Sequence, residues 1–429
     1  MSHFISKVKI TGLWETDKAI EFDVDRRFNF LIGRNGSGKT TVINLIAAVL
    51  TGDLEKIEKT IFQKIEIDFI TQIKSRKKSK ITVTRTLQES SPFCRIDYEI
   101  KNSITSDTTI FGFGDFEETS FRSANPRFLR DRLFRNQSGF VQKILESFLT
   151  VNWLSVHRHI EIERSSEDRK NSSPVDLKLN ILNNLLVRYF SQLSSEFAKE
   201  TKEFQQQSFI SLTDLQKEAN IRQFVESIDV EMEKKSLESV FRVLGVDNKK
   251  TEKQVEQITK NLKSAKEPFI NGQNLTISSL FAILNSYKAH SLVQLHEDLQ
   301  KKRKEIYSTT DKFITVVNNL LAPRKIAKIS AQNELVIYNQ KGIPIELENL
   351  SSGEKQLLII LGQALLQDSK PVIYIADEPE ISLHVEWQEK LINSISEINP
   401  NSQIVFATHS PDVVGAHQDK IIDMELVAA

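Results

Sequence analysis

Apolar and polar positions alternate or cluster in ways that divide the chain into three regions. In the first, short runs at residues 4–10, 19–24 and 28–32 read as strands, and a Gly-rich turn follows the third. Val42, Leu45, Ile46, Val49 and Leu50 then recur at helical spacing, which predicts a helix directly after that turn. Runs at residues 65–73 and 81–87, joined by a polar turn at 74–80, predict a hairpin, with residues 95–100 as a third antiparallel strand. A polar stretch over 165–174 reads as a linker into the second region, 166–325. There Leu182, Leu185, Leu186, Tyr189, Leu193 and Phe197 share one helix face. Leu292, Leu299, Ile306, Phe313 and Leu320 recur every seven residues, the mark of a long helix with a coiled-coil-like seam. The second seam position is apolar at Leu295 and Val316 but polar at Lys302 and Thr309, and Pro323 ends the helix. In the third region, buried-strand runs at 372–376 and 404–408 bracket helical material and suit parallel strands covered on both faces.

Composition narrows the class. The 429 residues carry 57 basic and 57 acidic side chains, so a globally basic nucleic-acid binder is not expected. A single cysteine, Cys94, excludes an intrachain disulfide framework and a four-cysteine zinc site. The first residues hold no long apolar run, and the most apolar segment, 357–366, is too short to span a bilayer. A cytoplasmic protein without a membrane role is the expectation.

Four segments carry chemistry. Gly33, Arg34, Asn35, Gly36, Ser37, Gly38, Lys39 and Thr40 fit the G-x-x-x-x-G-K-[ST] phosphate loop between a strand and a helix, and Thr41 opens that helix. The glycines let backbone N–H groups turn toward phosphate at a helix N-terminus; Lys39 is expected on the β- and γ-phosphates of ATP and Thr40 on Mg²⁺. An apolar strand delivers Asp377 and Glu378 together at its end; Asp377 suits Mg²⁺ and Glu378 suits a general base. Ser351 and Gly353 precede an apolar helix, either as phosphate ligands at its N-terminus or as an ordinary helix cap. His409, after another strand, is placed to sense a γ-phosphate or is structural. Two basic stretches, residues 74–80 and Arg122, Arg127, Arg130, Arg132 and Arg135 interleaved with Phe121, Phe128 and Phe134, suit nucleic acid or a solvated turn and an amphipathic helix.

The order of these four segments resembles the ATP-binding-cassette class of P-loop ATPases. Within it, Asp377-Glu378-Pro379-Glu380 with Leu383-His384, and Thr408-His409-Ser410-Pro411, look most like the OLD-type branch related to SMC and RecF proteins. The resemblance covers about residues 1–160 and 326–429. It implies an α/β fold with a mixed central sheet, an antiparallel β subdomain and a helical insertion. The ATPase domain would comprise 1–165 and 326–429, split by the insertion at 166–325. It also makes residues 350–356 the signature motif and His409 the switch histidine. An OLD nuclease carries a Toprim domain after the ATPase, and too few residues follow His409 for one. The resemblance is therefore to the stand-alone ATPases of Septu, retron and PARIS anti-phage systems, whose effectors, an HNH or Toprim-like nuclease or a toxin, are separate chains. It implies a homodimer or higher even oligomer in which Ser351 and Gly353 of one protomer close the ATP site of another. The Q-loop position falls at Gln142, His157 or Arg158. A RecF/SMC-type DNA-clamping ATPase, a transporter subunit and an ATP-dependent scaffold are the competing readings.

Overall fold

The computed structural model describes residues 3–16, 18–71, 78–87, 94–103, 107–113, 126–154, 173–213, 218–243, 245–246 and 249–428, with backbone only at 126–136, 213, 218–220 and 428. The strands are β1 (His3–Thr11), β2 (Ala19–Asp23), β3 (Phe28–Ile32), β4 (Lys64–Thr71), β5 (Ser79–Leu87), β6 (Cys94–Lys101), β7 (Thr108–Phe113), β8 (Val151–Trp153), β9 (Lys325–Ile329), β10 (Leu335–Asn339), β11 (Pro344–Ile345), β12 (Val372–Asp377), β13 (Ser402–Ala407) and β14 (Ile421–Asp423). The helices are α1 (Lys39–Thr51), α2 (Leu54–Lys59), α3 (Pro126–Phe148), α4 (Pro174–Thr213), α5 (Glu218–Ser227), α6 (Val230–Val243), α7 (Lys249–Ile270), α8 (Ile277–Leu321), α9 (Ser352–Leu365), α10 (Val385–Ile398), α11 (Pro411–Val414) and α12 (Met424–Ala428).

The chain forms two compact units, residues 188–308 and the remainder. In the larger unit, a five-stranded sheet runs in the order β14-β3-β13-β12-β8, and each of its pairings is parallel. A six-stranded antiparallel sheet runs β2-β1-β4-β5-β6-β7, and a small antiparallel sheet runs β11-β10-β9. The expected mixture of strand senses thus lies between sheets rather than within one. The hairpin expected around 74–80 is the β4–β5 pair, and the expected third strand is β6. The β9–β11 sheet has no counterpart in the pattern reading, because its strands are too short to stand out by alternation.

Helix α1 joins the two large sheets in one core. Val42, Leu45, Ile46 and Val49 are fully or almost fully buried beside Ile65, Ile67 and Val83 of the antiparallel sheet and Ile373, Ile375 and Val405 of the parallel sheet. The hydroxyl of buried Tyr98 on β6 donates to the Val49 carbonyl, at 3.2 Å. Gln403, fully buried on β13, reaches β1 at the irregularity between Ile5 and Lys7. It accepts from the Ile5 N–H at 2.9 Å and donates to the carbonyls of Ile5 and Asp25, each at 2.7 Å. One side chain therefore bonds backbone groups of Ile5, beside that irregularity, and of Asp25, between β2 and β3. Alternation puts Tyr374 on the opposite face of β12 from Ile373 and Ile375. Its hydroxyl meets Asn399, just past α10, at 3.5 Å.

The helical unit, 188–308, holds the second part of α4, α5, α6, α7 and the first part of α8. Its buried clusters are small: Phe224, Val225, Ile228, Leu262, Ala265 and Ile283 form one, and Leu237, Val255 and Val293 another. The period-seven seam positions fall on α8, a helix of 45 residues, with Leu299, Phe313 and Leu320 buried and Leu292 and Ile306 half-buried. Its polar member Thr309 is buried, while Lys302 pairs with Glu200 on α4.

Candidate functional site

The site lies where β3, β13 and β12 end side by side. Parallel pairing in register puts Leu31 opposite Ala407, and Ala407 opposite Asp377. The segments that follow these strands therefore emerge at one edge of the sheet, the edge where open α/β sheets bind ligands.

After β3 the chain curls through Gly33, Gly36 and Gly38, all at positive φ, the last two at 87° and 89°. Asn35 is exposed at the tip of the loop, and Thr41 is half-buried in the first turn of α1. Lys39 is buried, and its ammonium donates to the carbonyls of Gly33 at 2.8 Å and Arg34 at 3.0 Å, so its charge sits inside the curl. The Ser37 hydroxyl oxygen is buried without a hydrogen-bond partner among the described residues.

Thr40 and Asp377 meet: the Thr40 hydroxyl donates to Asp377 Oδ1 at 3.2 Å, across 337 positions of sequence. A hydroxyl and a carboxylate side by side form a hard oxygen donor set that fits Mg²⁺. The curled loop with its buried cation and orphaned hydroxyl fits a polyphosphate.

Glu378 and His409 also meet, with His409 Nε2 3.8 Å from Glu378 Oε1. Glu378 itself stands at φ 50°, a left-handed conformation costly for a residue with a Cβ. Its N–H donates to Ala407 O at 2.8 Å, which holds the turn after β12 onto the end of β13. Two residues on, Glu380 is buried and receives hydrogen bonds from the Thr408 hydroxyl and, at 3.3 Å, from the His409 N–H. Burial pushes the Glu380 carboxyl above its ordinary range, and the charge of Glu378 adds to that.

Ser351 and Gly353 lie at the start of α9. Ser351 caps α9 in a reciprocal arrangement with Glu354: its N–H donates to the Glu354 carboxylate at 2.8 Å, and its hydroxyl accepts from the Glu354 N–H at 3.4 Å. Lys325 adds two bonds of 2.7 Å to the same carboxylate. Burial works to raise Glu354, but the bonds from Lys325 and Ser351 outweigh it and hold the carboxyl below its ordinary value. Gly353 packs on the loop that follows Glu378; a Cβ there would fall 2.5 Å from the Ser382 carbonyl oxygen. Gln356, one turn further, donates to Pro379 O at 2.6 Å. Thus α9 is tied to the Asp377–Glu378 turn, while Ser351 meets none of the phosphate-loop residues among the described hydrogen bonds.

Two further residues at the edge escaped the pattern reading. Trp14, between β1 and β2, is 44% exposed, and a Cβ on Gly38 would lie 2.1 Å from its ring. Glu425 on α12 accepts from the Arg34 N–H at 3.0 Å, beside a cleft of about 390 Å³ lined by Gly33, Arg34, His409, Ser410 and Glu425. Neither lies in a recognisable motif; only folding brings them to the loop. Gln142 is exposed on α3. His157, Arg158, residues 74–77 and Arg122 lie outside the described residues, as do the side chains of Arg127, Arg130, Arg132 and Arg135.

A phosphate loop, a Thr–Asp oxygen pair and a Glu–His pair at one parallel-sheet edge define a P-loop ATPase. The chain belongs to the AAA ATPase domain family, which it matches over residues 4–414. It is 30% identical over 161 residues to the Retron Vc95 probable ATPase of Vibrio cholerae serotype O1 biovar El Tor, covering 34% of this chain and 30% of that protein. It is 28% identical over 143 residues to the Septu protein PtuA of Bacillus thuringiensis, covering 30% and 35%. The chain's match thus spans about a third of each of these curated relatives. Among solved structures, it is similar to the Smc head domain of Pyrococcus furiosus, with a TM-score of 0.41 and 16% identity over 96% of this chain and 91% of that one. Among the described residues, no helix is long and apolar enough to cross a membrane.

Proposed function

We propose that this chain hydrolyses ATP at the β3–β13–β12 edge and that ATP-driven dimerisation through that edge controls a separate effector, a nuclease or a toxin, in anti-phage defence. The observation that carries the ATPase reading is the 3.2 Å contact between Thr40 and Asp377. It joins the loop that takes phosphate to the strand end that takes the metal.

In this reading Lys39 and the loop N–H groups hold the phosphates, and the half-exposed Trp14 ring beside Gly38 offers a flat face to the adenine base. Thr40 and Asp377 hold Mg²⁺, which when bound neutralises charge on the phosphate oxygens. Glu378 accepts a proton from the attacking water, and His409, 3.8 Å away, contacts the γ-phosphate side of the site. Within one protomer Ser351 caps its own helix, so the capped end of α9 is offered to a second protomer's nucleotide as an edge rather than to its own. ATP then joins two copies about a two-fold axis, and hydrolysis releases them. The defence role is supported by the relatives' names: a retron ATPase and a Septu protein.

The test is Glu378→Gln. With ATP and Mg²⁺ it is expected to bind nucleotide, lose turnover by about 100-fold or more, and run as a dimer in light scattering. A variant that stays monomeric would remove the dimer mechanism. Phage plaquing on cells carrying the chain with its neighbouring gene should rise when Glu378→Gln replaces the wild type; equal plaquing would remove the defence role.

A further inference from the structure

We infer that Glu380 is a positioning residue for hydrolysis: it acts through His409, as a brace that sets where the end of β13 presents that imidazole. This rests on the ATPase reading above and adds a residue to it.

The brace is built from one oxygen. Glu380 Oε1 accepts from the Thr408 hydroxyl and from the His409 N–H at 3.3 Å. The Thr408 hydroxyl oxygen in turn accepts from the Ser410 N–H at 2.9 Å. The residue before His409, its own backbone and the residue after it are therefore all tied to the Glu380 carboxyl, directly or through one hydroxyl. Thr408 is fully buried and Glu380 is 6% exposed, so water does not compete for these bonds. The His409 side chain itself remains partly open, 3.8 Å from Glu378.

The brace also spans two strand ends. Glu380 sits in the turn after β12, whose Glu378 N–H is bonded to Ala407 O on β13, and whose Pro379 carbonyl accepts from Gln356 of α9. A shift of α9 or of the β12 turn is carried to His409 through this carboxyl.

Oε2 of Glu380 is buried and has no hydrogen-bond partner among the described residues. An ionised oxygen enclosed in that way is costly, whereas a protonated one needs no counter-charge. The titratable groups that bear on it are Glu378, whose charge opposes ionisation, and His409, whose backbone bonds it. What the brace uses is one oxygen that accepts two hydrogen bonds, a role that needs no negative charge. A glutamine reproduces that arrangement; an alanine removes it.

The experiment is a double-mutant cycle on the full chain, with steady-state ATPase rates, ATP affinity by calorimetry and thermal melts for each variant. Glu380→Ala is expected to lower kcat by about 100-fold, the scale of a misplaced catalytic group, with ATP affinity and KM held within about threefold. Glu380→Gln is expected to keep kcat within about threefold of wild type. In a His409→Ala background, Glu380→Ala should cost no more than about a further twofold, because the group it positions is gone. Where Glu380→Ala does not fold, Thr408→Val, which keeps the volume and removes the hydroxyl, takes its place in the cycle. Losses that multiply, a Gln variant as impaired as the Ala variant, or ATP affinity that falls with kcat would each overturn the inference. A wild-type chain that binds ATP and does not hydrolyse it would overturn the ATPase reading and this inference with it.

Discussion

The parallel-sheet edge and the helical unit tie down their buried polar groups to different degrees. At the edge, Lys39, Gln356 and Thr408 are buried, and each is hydrogen-bonded to groups from distant parts of the sequence or from the curled loop itself, while the Ser37 hydroxyl and Glu380 Oε2 are buried without a partner among the described residues. In the helical unit, Glu233 bonds His290 at 2.8 Å through one oxygen, but its other oxygen and His296 Nδ1 are buried without partners among the described residues. That unit also leaves Phe209, Met232 and Phe281 well exposed and carries a half-open pocket of about 350 Å³ lined by Phe204, Leu237, Phe241, Val293 and His296. Satisfied buried networks specify one arrangement, which chemistry at a phosphate requires to within a fraction of an ångström. A helical unit built on a seam and small clusters needs only the right face turned inward, and it tolerates loose packing.

The contrast is open to measurement. The largest effect belongs to the edge: Lys39→Ala is expected to weaken ATP binding by more than about 100-fold, since a buried charge-assisted contact to phosphate is lost. Calorimetry on the folded variant checks this, and unchanged affinity would remove the phosphate-loop assignment. Next, Gln403→Leu should destabilise the chain by about 2–4 kcal/mol in urea unfolding, because it removes the side-chain partner of the buried Ile5 N–H and carbonyl. A loss under about 0.5 kcal/mol would mean that the bulge relaxes onto other partners.

A smaller effect compares the two regions by pH. Burial lowers His3 at the antiparallel sheet and His296 in the helical unit below the ordinary value of 6.5. For a depressed imidazole the unfolded chain binds the proton first. The stability contributed is therefore complete above pH 6.5 and is lost as pH falls through the folded value. Melting curves of His296→Gln and His3→Gln should each lose less stability than wild type on going from pH 7.5 to pH 5. A variant that loses more would reverse the assigned sign. The smallest effect is expected at the exposed Lys302–Glu200 pair between α8 and α4: Glu200→Gln should leave the melting temperature unchanged within error. A clear drop there would show that the helical unit depends on specific polar contacts after all.

The legibility of the chain follows the same division. The hairpin of β4 and β5, the α1 stripe, the α8 heptads and the strand ends at Asp377 and His409 are each legible within one continuous stretch of at most about thirty residues, because side-chain period and turn chemistry are local. The short sheet of β9, β10 and β11 went unread because strands of five, five and two residues offer too few alternations. The sequence allows Ser351 two roles, and within the chain it is the helix cap. The sequence suggests Gly353 for phosphate, and its lack of a Cβ also has a packing reason at Ser382.

By itself the sequence marked the Gly-rich loop with Lys39 and Thr40, the Asp377–Glu378 pair and His409 at strand ends, and the α/β material on either side of a mainly helical stretch. Each depends on neighbouring residues and on backbone preferences that operate over a few positions. Only the tertiary structure decided that β3 lies beside β13 and β13 beside β12, and therefore that Thr40 reaches Asp377, Glu378 reaches His409, Glu380 holds Thr408 and Trp14 covers Gly38. Strand order is settled by burying both sheets against α1 at once, a condition on the whole core that no local stretch of residues contains.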